Sequence, residues 1–194
     1  MKTDSLNDIA DRYRRLSTRF TDLVEAVPDD RWNRPSPCPE WTAKDVFHHI
    51  VTTEAEHLQR MEMDLPEPID GVEPHAAWPI VRDRVQRALD TPEEAEHGYD
   101  GMLGHTTFAA SIDRFYSMDL VVHAWDLARA TGLKAFEQIP ADEIEPVRRA
   151  ADSFGENMRL PGVFGPEVPV SDDADEQTKL LGLLGRDAAA VAAR

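Results

Sequence analysis

Apolar residues in the first part of the chain recur at helical intervals. Ile9, Tyr13, Leu16, Phe20, Leu23 and Val24 share one stripe, which predicts a helix capped at Thr3 or Asp4 and running to about Val27. Pro28 and the acids after it end that helix. The run "DDRWNRPSPCPEW" then places three prolines in a short span, marking a connecting loop that Trp32 and Trp41 bracket and pin to the rest of the molecule. Thr42 with Asp45 forms a capping box that opens a second helix, from about Ala43 to Met61. "DLPEPIDGVEPH" breaks the chain again.

A third helix is expected from about Ala76 to Leu89, with Trp78, Val81, Val85 and Leu89 on one stripe. Residues 92–105 are polar and glycine-dotted and read as loop. The fourth helix, Thr106 to about Thr131, is the longest and most apolar, and Gly132 closes it where a left-handed residue is favoured. Ala141 to Met158 forms a fifth. The remainder starts as an extended proline- and glycine-rich segment and ends in a short helix capped within Ser171 to Asp173 and stopped by Gly185. No internal repeat and no strand longer than a few residues is evident. The pattern predicts one all-α domain: an up-and-down four-helix bundle over about 4–160, with a C-terminal extension over about 161–194.

Composition narrows the function classes. The chain has 194 residues and 37 acidic against 21 basic side chains, for a net charge of −16. The overall field therefore repels phosphate backbones and anionic membrane surfaces, which argues against nucleic acid or a membrane as partner. The basic cluster "DRYRR" (Asp11 to Arg15) reads as a solvated helix face. No window is apolar enough to span a membrane, and the polar N-terminal stretch lacks a signal-peptide core. With a single cysteine, Cys38, a cytoplasmic setting is expected.

The chemistry sits on the fourth helix. At 100° per residue its surface is apolar nearly all round, yet Asp119, His123 and Asp126 fall within roughly 60° of arc. Asp119 and His123 are four apart, so one face offers two ligands to one ion. A buried unpaired carboxylate costs several kcal/mol, roughly, and calls for a cation; neither Arg114 nor Arg129 is placed to supply one locally. A chance pairing of structural side chains is the bland alternative. Asp126 either orients His123 or anchors a neighbouring loop or helix end. On the second helix His48 and His49 flank the apolar stripe on opposite sides, and periodicity leaves the choice between them nearly balanced, with a slight edge to His49. Cys38 reads as a small residue packed into a turn. His57, His75, His97 and His105 read as solvated or hydrogen-bonded residues.

Three runs, "PSPCPEWTAKDVFHHIV", "DLVVHAWDLARATG" and "FGPEVPVSDDADEQTKLLGLLGRD", occur here in the order seen in a bacterial family. The chain resembles the metal-binding domain of mycothiol-dependent maleylpyruvate isomerases, within the DinB-like superfamily. That resemblance implies a divalent metal in a four-helix bundle, held by His49, Asp119 and His123, with aspartate where the isomerase typically has glutamate. It also implies a low-molecular-weight thiol as cosubstrate and is compatible with a homodimer. Three protein ligands and an open position suit zinc best, with nickel or iron as alternatives. Two functions are expected on this basis: a metal-dependent isomerase or S-transferase acting on a small electrophile, or a metal-containing protein that binds or senses a small molecule. A metal-free bundle serving only in assembly is the third.

Overall fold

The computed structural model describes residues 5–69, 71–101, 103–160 and 163–189. The chain folds as a helical bundle with one small hairpin and a C-terminal extension, the fold the sequence pattern predicts. Helix α1 spans Leu6–Ala26 and buries Tyr13, Phe20 and Leu23 from its expected stripe. Its cap is Ser5, in a reciprocal capping box with Asp8; the expected cap at Thr3 or Asp4 lies outside the described residues. Helix α2 spans Ala43–Arg60, and Thr42 and Asp45 make the box that the sequence suggests. Helix α3 spans Pro74–Leu89.

The polar segment after α3 corrects an expectation of plain loop. It contains a one-turn helix α4, Pro92–Ala95, and an antiparallel hairpin of β1, Gly98–Gly101, and β2, Gly104–Thr107. Each strand has four residues and no apolar alternation, so the periodicity that reveals strands is missing. The long fourth helix is likewise composite. Helix α5, Phe108–Ser111, runs through a π-turn at Ile112–Tyr116 into α6, Ser117–Thr131. Such an extra residue in the helical turn often lies beside a functional site. Gly132, at φ 71°, ends α6 as expected, and the Leu133 N–H returns to the Ala128 carbonyl.

Helix α7, Ala141–Asp152, is shorter than expected because the chain tightens into a 3₁₀ segment, Gly155–Arg159. The last helix, α8, spans Glu176–Leu183 and is capped by Asp175, rather than by Ser171 to Asp173. The Asp175 carboxylate takes the Thr178 N–H at 2.7 Å.

Helices α1 and α2 each pack on both α3 and α6. The two therefore face each other across the bundle diagonal, and the proline-rich loop between them has that diagonal to cross. Tyr13, Phe20, Phe47, Trp78 and Leu120 fill the centre. Trp78 sits edge-on to Phe20 at 5.0 Å, and Trp32 edge-on to Phe47 at 5.6 Å, which fixes one end of the loop as the sequence suggests. α7 packs on α6, and α8 on α7.

The arginines of "DRYRR" do not form a free basic face. Arg12, 14% exposed, pairs with Asp113 and with Glu143 of α7, both at 2.6 Å, while Arg14 pairs with Asp90 at 2.9 Å. Among the described residues no helix is long and apolar enough to cross a membrane.

Candidate metal centre

Helices α2 and α6 are neighbours, and their facing stripes bring His49, Asp119 and His123 together. One donor atom from each lies within 4.8 Å of the other two. His49 Nε2 is 3.4 Å from Asp119 Oδ2, and the two imidazole rings sit edge to face at 4.9 Å. Asp119 is not the fully buried carboxylate that its apolar helix suggests; its side chain is 27% exposed, at the wall of a cavity. His48 is exposed, whereas His49 is half-buried and lines that cavity.

Around His123 a second layer is fully built. Its Nδ1 lies 2.9 Å from Asp126 Oδ2, and Asp126 has no exposed surface. Arg186, just past α8, reaches the same carboxylate with Nη2 at 2.9 Å. Burial pushes the Asp126 carboxyl up, but Arg186 and then His123 outweigh it and hold it well below the usual carboxylate range. An ionised carboxylate only accepts, so Nδ1 of His123 carries the proton and Nε2 keeps its lone pair for a ligand. Asp126 thus does both things the sequence left open: it orients a histidine and anchors a distant chain segment.

Cys38 completes this layer, with Sγ donating to Asp126 Oδ2 at 3.3 Å. Burial and the adjacent carboxylate push its thiol up to about 12, so it stays protonated near neutral pH and serves as a donor rather than a nucleophile. Cys38, His123 and Asp126 also lie close enough to hold an ion. Their polar atoms, however, are already spent on one another and on Arg186. The donor set of His49, Asp119 and His123 is the one left facing open space, and two imidazoles with a carboxylate suit a divalent transition metal.

That open space is a cavity of about 910 Å³. Trp41 stands at its edge, with its ring 5.1 Å from the His49 ring and 6.0 Å from that of His123. A tight turn aims it: Pro39 and Glu40 sit between the Cys38 carbonyl and the Trp41 N–H, which bond at 3.1 Å. Glu40 holds φ at 67°, the left-handed value normally left to glycine. Phe154, Phe164 and Leu184, from the segments after α6, close the far side.

Sequence reasoning missed Arg186, Trp41 as part of the site, and a second polar locus deeper in the bundle. There Tyr13 Oη donates to Glu54 Oε2 at 2.8 Å, while Glu54 Oε1 has no hydrogen-bond partner among the described residues. His57, expected to be solvated or hydrogen-bonded, is neither. It is 1% exposed, both ring nitrogens lack partners among the described residues, and its ring is stacked by Phe108 at 5.1 Å and Tyr116 at 4.7 Å. Its place three residues from Glu54 on α2 is the one sequence clue. Burial pushes Glu54 up to about 8, with the Asp119 charge adding to the shift, and burial lowers His57 to about 4.

Comparison with known proteins agrees with this architecture. The family described as the mycothiol maleylpyruvate isomerase N-terminal domain matches residues 13–128. Two uncharacterized proteins of Mycobacterium tuberculosis, MT0763 of strain CDC 1551 and Rv0738 of strain H37Rv, are each 28% identical over 178 residues, covering 90% of this chain and 95% of theirs. No solved structure matches.

Proposed function

The chain belongs to the mycothiol maleylpyruvate isomerase N-terminal domain family, and from that premise we propose that it holds one divalent ion through His49, Asp119 and His123. With that ion it acts in the cytoplasm as an isomerase or S-transferase, using a low-molecular-weight thiol on a small electrophile. The observation that carries this reading is the donor triad converging from two helices onto an open cavity. His49, Asp119 and His123 would hold the ion, and zinc, the first choice, would supply Lewis acidity that favours the thiolate form of a thiol at neutral pH.

The chain's own residues have defined parts. Asp126 and Arg186 hold the His123 ring so that Nε2 faces the cavity. The aromatic rim of Trp41 and Tyr116 limits water and offers flat apolar surface to a substrate. Cys38, kept protonated, does not compete with an incoming thiol. The Asp119 side chain is one methylene shorter than glutamate and would leave more of the cavity free beside the donor atoms.

Metal analysis of protein purified without added metal is the first test. Near-stoichiometric metal is expected in the wild type and in His48→Ala, and little in His49→Ala, Asp119→Ala and His123→Ala. Stoichiometric metal retained by each of the three variants sinks the reading. Incubation of metal-loaded protein with a panel of thiols and electrophiles then reads conjugation or isomerisation; tight ligand binding with no turnover across the panel makes it a metal-containing small-molecule binder instead.

A further inference from the structure

Among the described residues three arginines line the cavity, and two are already occupied. Arg186 serves Asp126, and Arg159 is tied to the carbonyls of Gly165 and Leu183. Arg60 alone is uncommitted: among the described residues no carboxylate lies within ion-pair distance of it, although Glu56 stands one helical turn before it. Arg60 is exposed at the cavity lining, and a guanidinium there with no ion pair among the described residues is a notable feature in a chain whose net charge is −16. It makes the cavity the place where an anion is attracted rather than repelled.

Helix geometry places Arg60 relative to the metal donors. It lies eleven residues after His49 on α2, a net rotation of roughly 20° and a rise of about 16 Å. Both side chains therefore leave the same stripe of the helix, with Thr53 between them, and all three line the one cavity. The Arg60 side chain lines the cavity together with Tyr116, and its charge acts on the nearby His57 and Tyr116 rings, lowering the pKa of each. Between the two ends the lining is largely apolar, including Phe115, Tyr116, Met118 and Val122.

Building on the proposed metal site, we propose that Arg60 is an anion-binding subsite at the far end of this cavity, selecting an elongated ligand with its thiol or thiol-reactive end at the metal donors, an apolar middle and a carboxylate-type head on the guanidinium. The planar fork of arginine matches a carboxylate in two parallel bonds, which a point charge does not. Ligands too short to bridge the two ends gain nothing from it.

The test uses mercaptoacetate, 6-mercaptohexanoate and 8-mercaptooctanoate against the corresponding mercapto-alcohols, with binding measured by calorimetry in metal-loaded and chelator-treated protein. In the loaded protein the carboxylate should be favoured over the alcohol by about fivefold for the long probes, the upper range for a partly exposed ion pair, and not for the shortest. Arg60→Gln should abolish that preference, Arg60→Lys should restore part of it, and Arg87→Gln, on α3 outside the cavity lining, should leave it intact. No preference in the wild type, or a preference that survives Arg60→Gln, overturns the proposal. Metal content is measured on the same samples. If no metal binds, but long carboxylates still outbind the alcohols through Arg60, the anion subsite stands and the metal reading falls.

Discussion

Two buried polar loci lie in the same bundle and are built on opposite terms. At Asp126 every strong group has a partner: a histidine, an arginine and a thiol surround one carboxylate. At Glu54 and His57 one hydrogen bond to Tyr13 is set against three buried nitrogen and oxygen atoms with none among the described residues. Both contain an acid and a histidine three residues apart on one helix. The difference is that the first adds to its own helix's histidine two partners from distant parts of the chain, Cys38 and Arg186, so its charge is stable inside, whereas the second draws one, Tyr13, and is held neutral. A buried polar residue that is fully partnered sets geometry, and one that is not sets a pH dependence.

Breaking the first locus should have the largest effect. Asp126→Ala strips the partner from a buried guanidinium, and a loss of about 3–5 kcal/mol in unfolding free energy is expected by denaturant titration. Asp126→Ala combined with Arg186→Met should recover a substantial part of it, since no unpaired charge then remains. With the metal site proposed above, Arg186→Met alone should weaken metal affinity by about 10- to 100-fold, read by chelator competition, because His123 loses its fixed orientation.

At the second locus the expected effect is on the shape of the stability curve. Glu54 keeps its proton in the native state up to about 8, while the unfolded chain releases it near the ordinary value of about 4.5. The native state binds more protons across that window, so this group's contribution is full below the lower pKa and declines as pH rises to the upper one. His57 acts in the opposite sense, its contribution full above about 6.5 and lost as pH falls toward about 4. The two offset each other below about 6.5, and only the Glu54 decline remains above it. Glu54→Gln should therefore flatten the fall in thermal stability between pH 6.5 and 8, with a gain on the order of 1 kcal/mol or more at the upper end. A variant that still loses stability over that window as the wild type does removes Glu54 as the cause.

Two smaller changes sharpen the contrast. His57→Phe keeps a stacked ring and removes two unpaired nitrogens, and a gain of about 1 kcal/mol is expected with no change in metal content. Glu40→Gly relieves a left-handed non-glycine residue and should stabilise by about 1 kcal/mol in thermal melts, since the Glu40 side chain belongs to neither locus.

Much of the fold was legible because its signals are local. The stripe of α1, the Thr42 and Asp45 box and the Gly132 stop each lie within a few residues of what they specify. The hairpin was not, since four-residue strands centred on glycines carry no period. Asp119 and His123 declare themselves by spacing on one helix, while His49 needed the family's pattern to separate it from His48. Arg186 left no readable trace. It lies 60 residues beyond its carboxylate, in a tail that packs closely on α8 at Gly182, where a side chain would meet the Val168 carbonyl at 2.7 Å. Long-range partnership of that kind has no sequence periodicity to betray it. The family match, too, ends at residue 128, short of that arginine.

The separation of Asp126 from Arg186 also orders events during synthesis. At ordinary elongation rates of about 5–20 residues per second, the carboxylate leaves the ribosomal peptidyl centre roughly 3–12 s before the guanidinium is made. During that interval the α6 aspartate has a histidine and a thiol within the chain already made, but not the cation that makes its burial favourable. The residues of the bundle helices are all made before the one whose guanidinium meets Asp126, so that carboxylate's full set of partners is complete only once the tail is synthesised and docked.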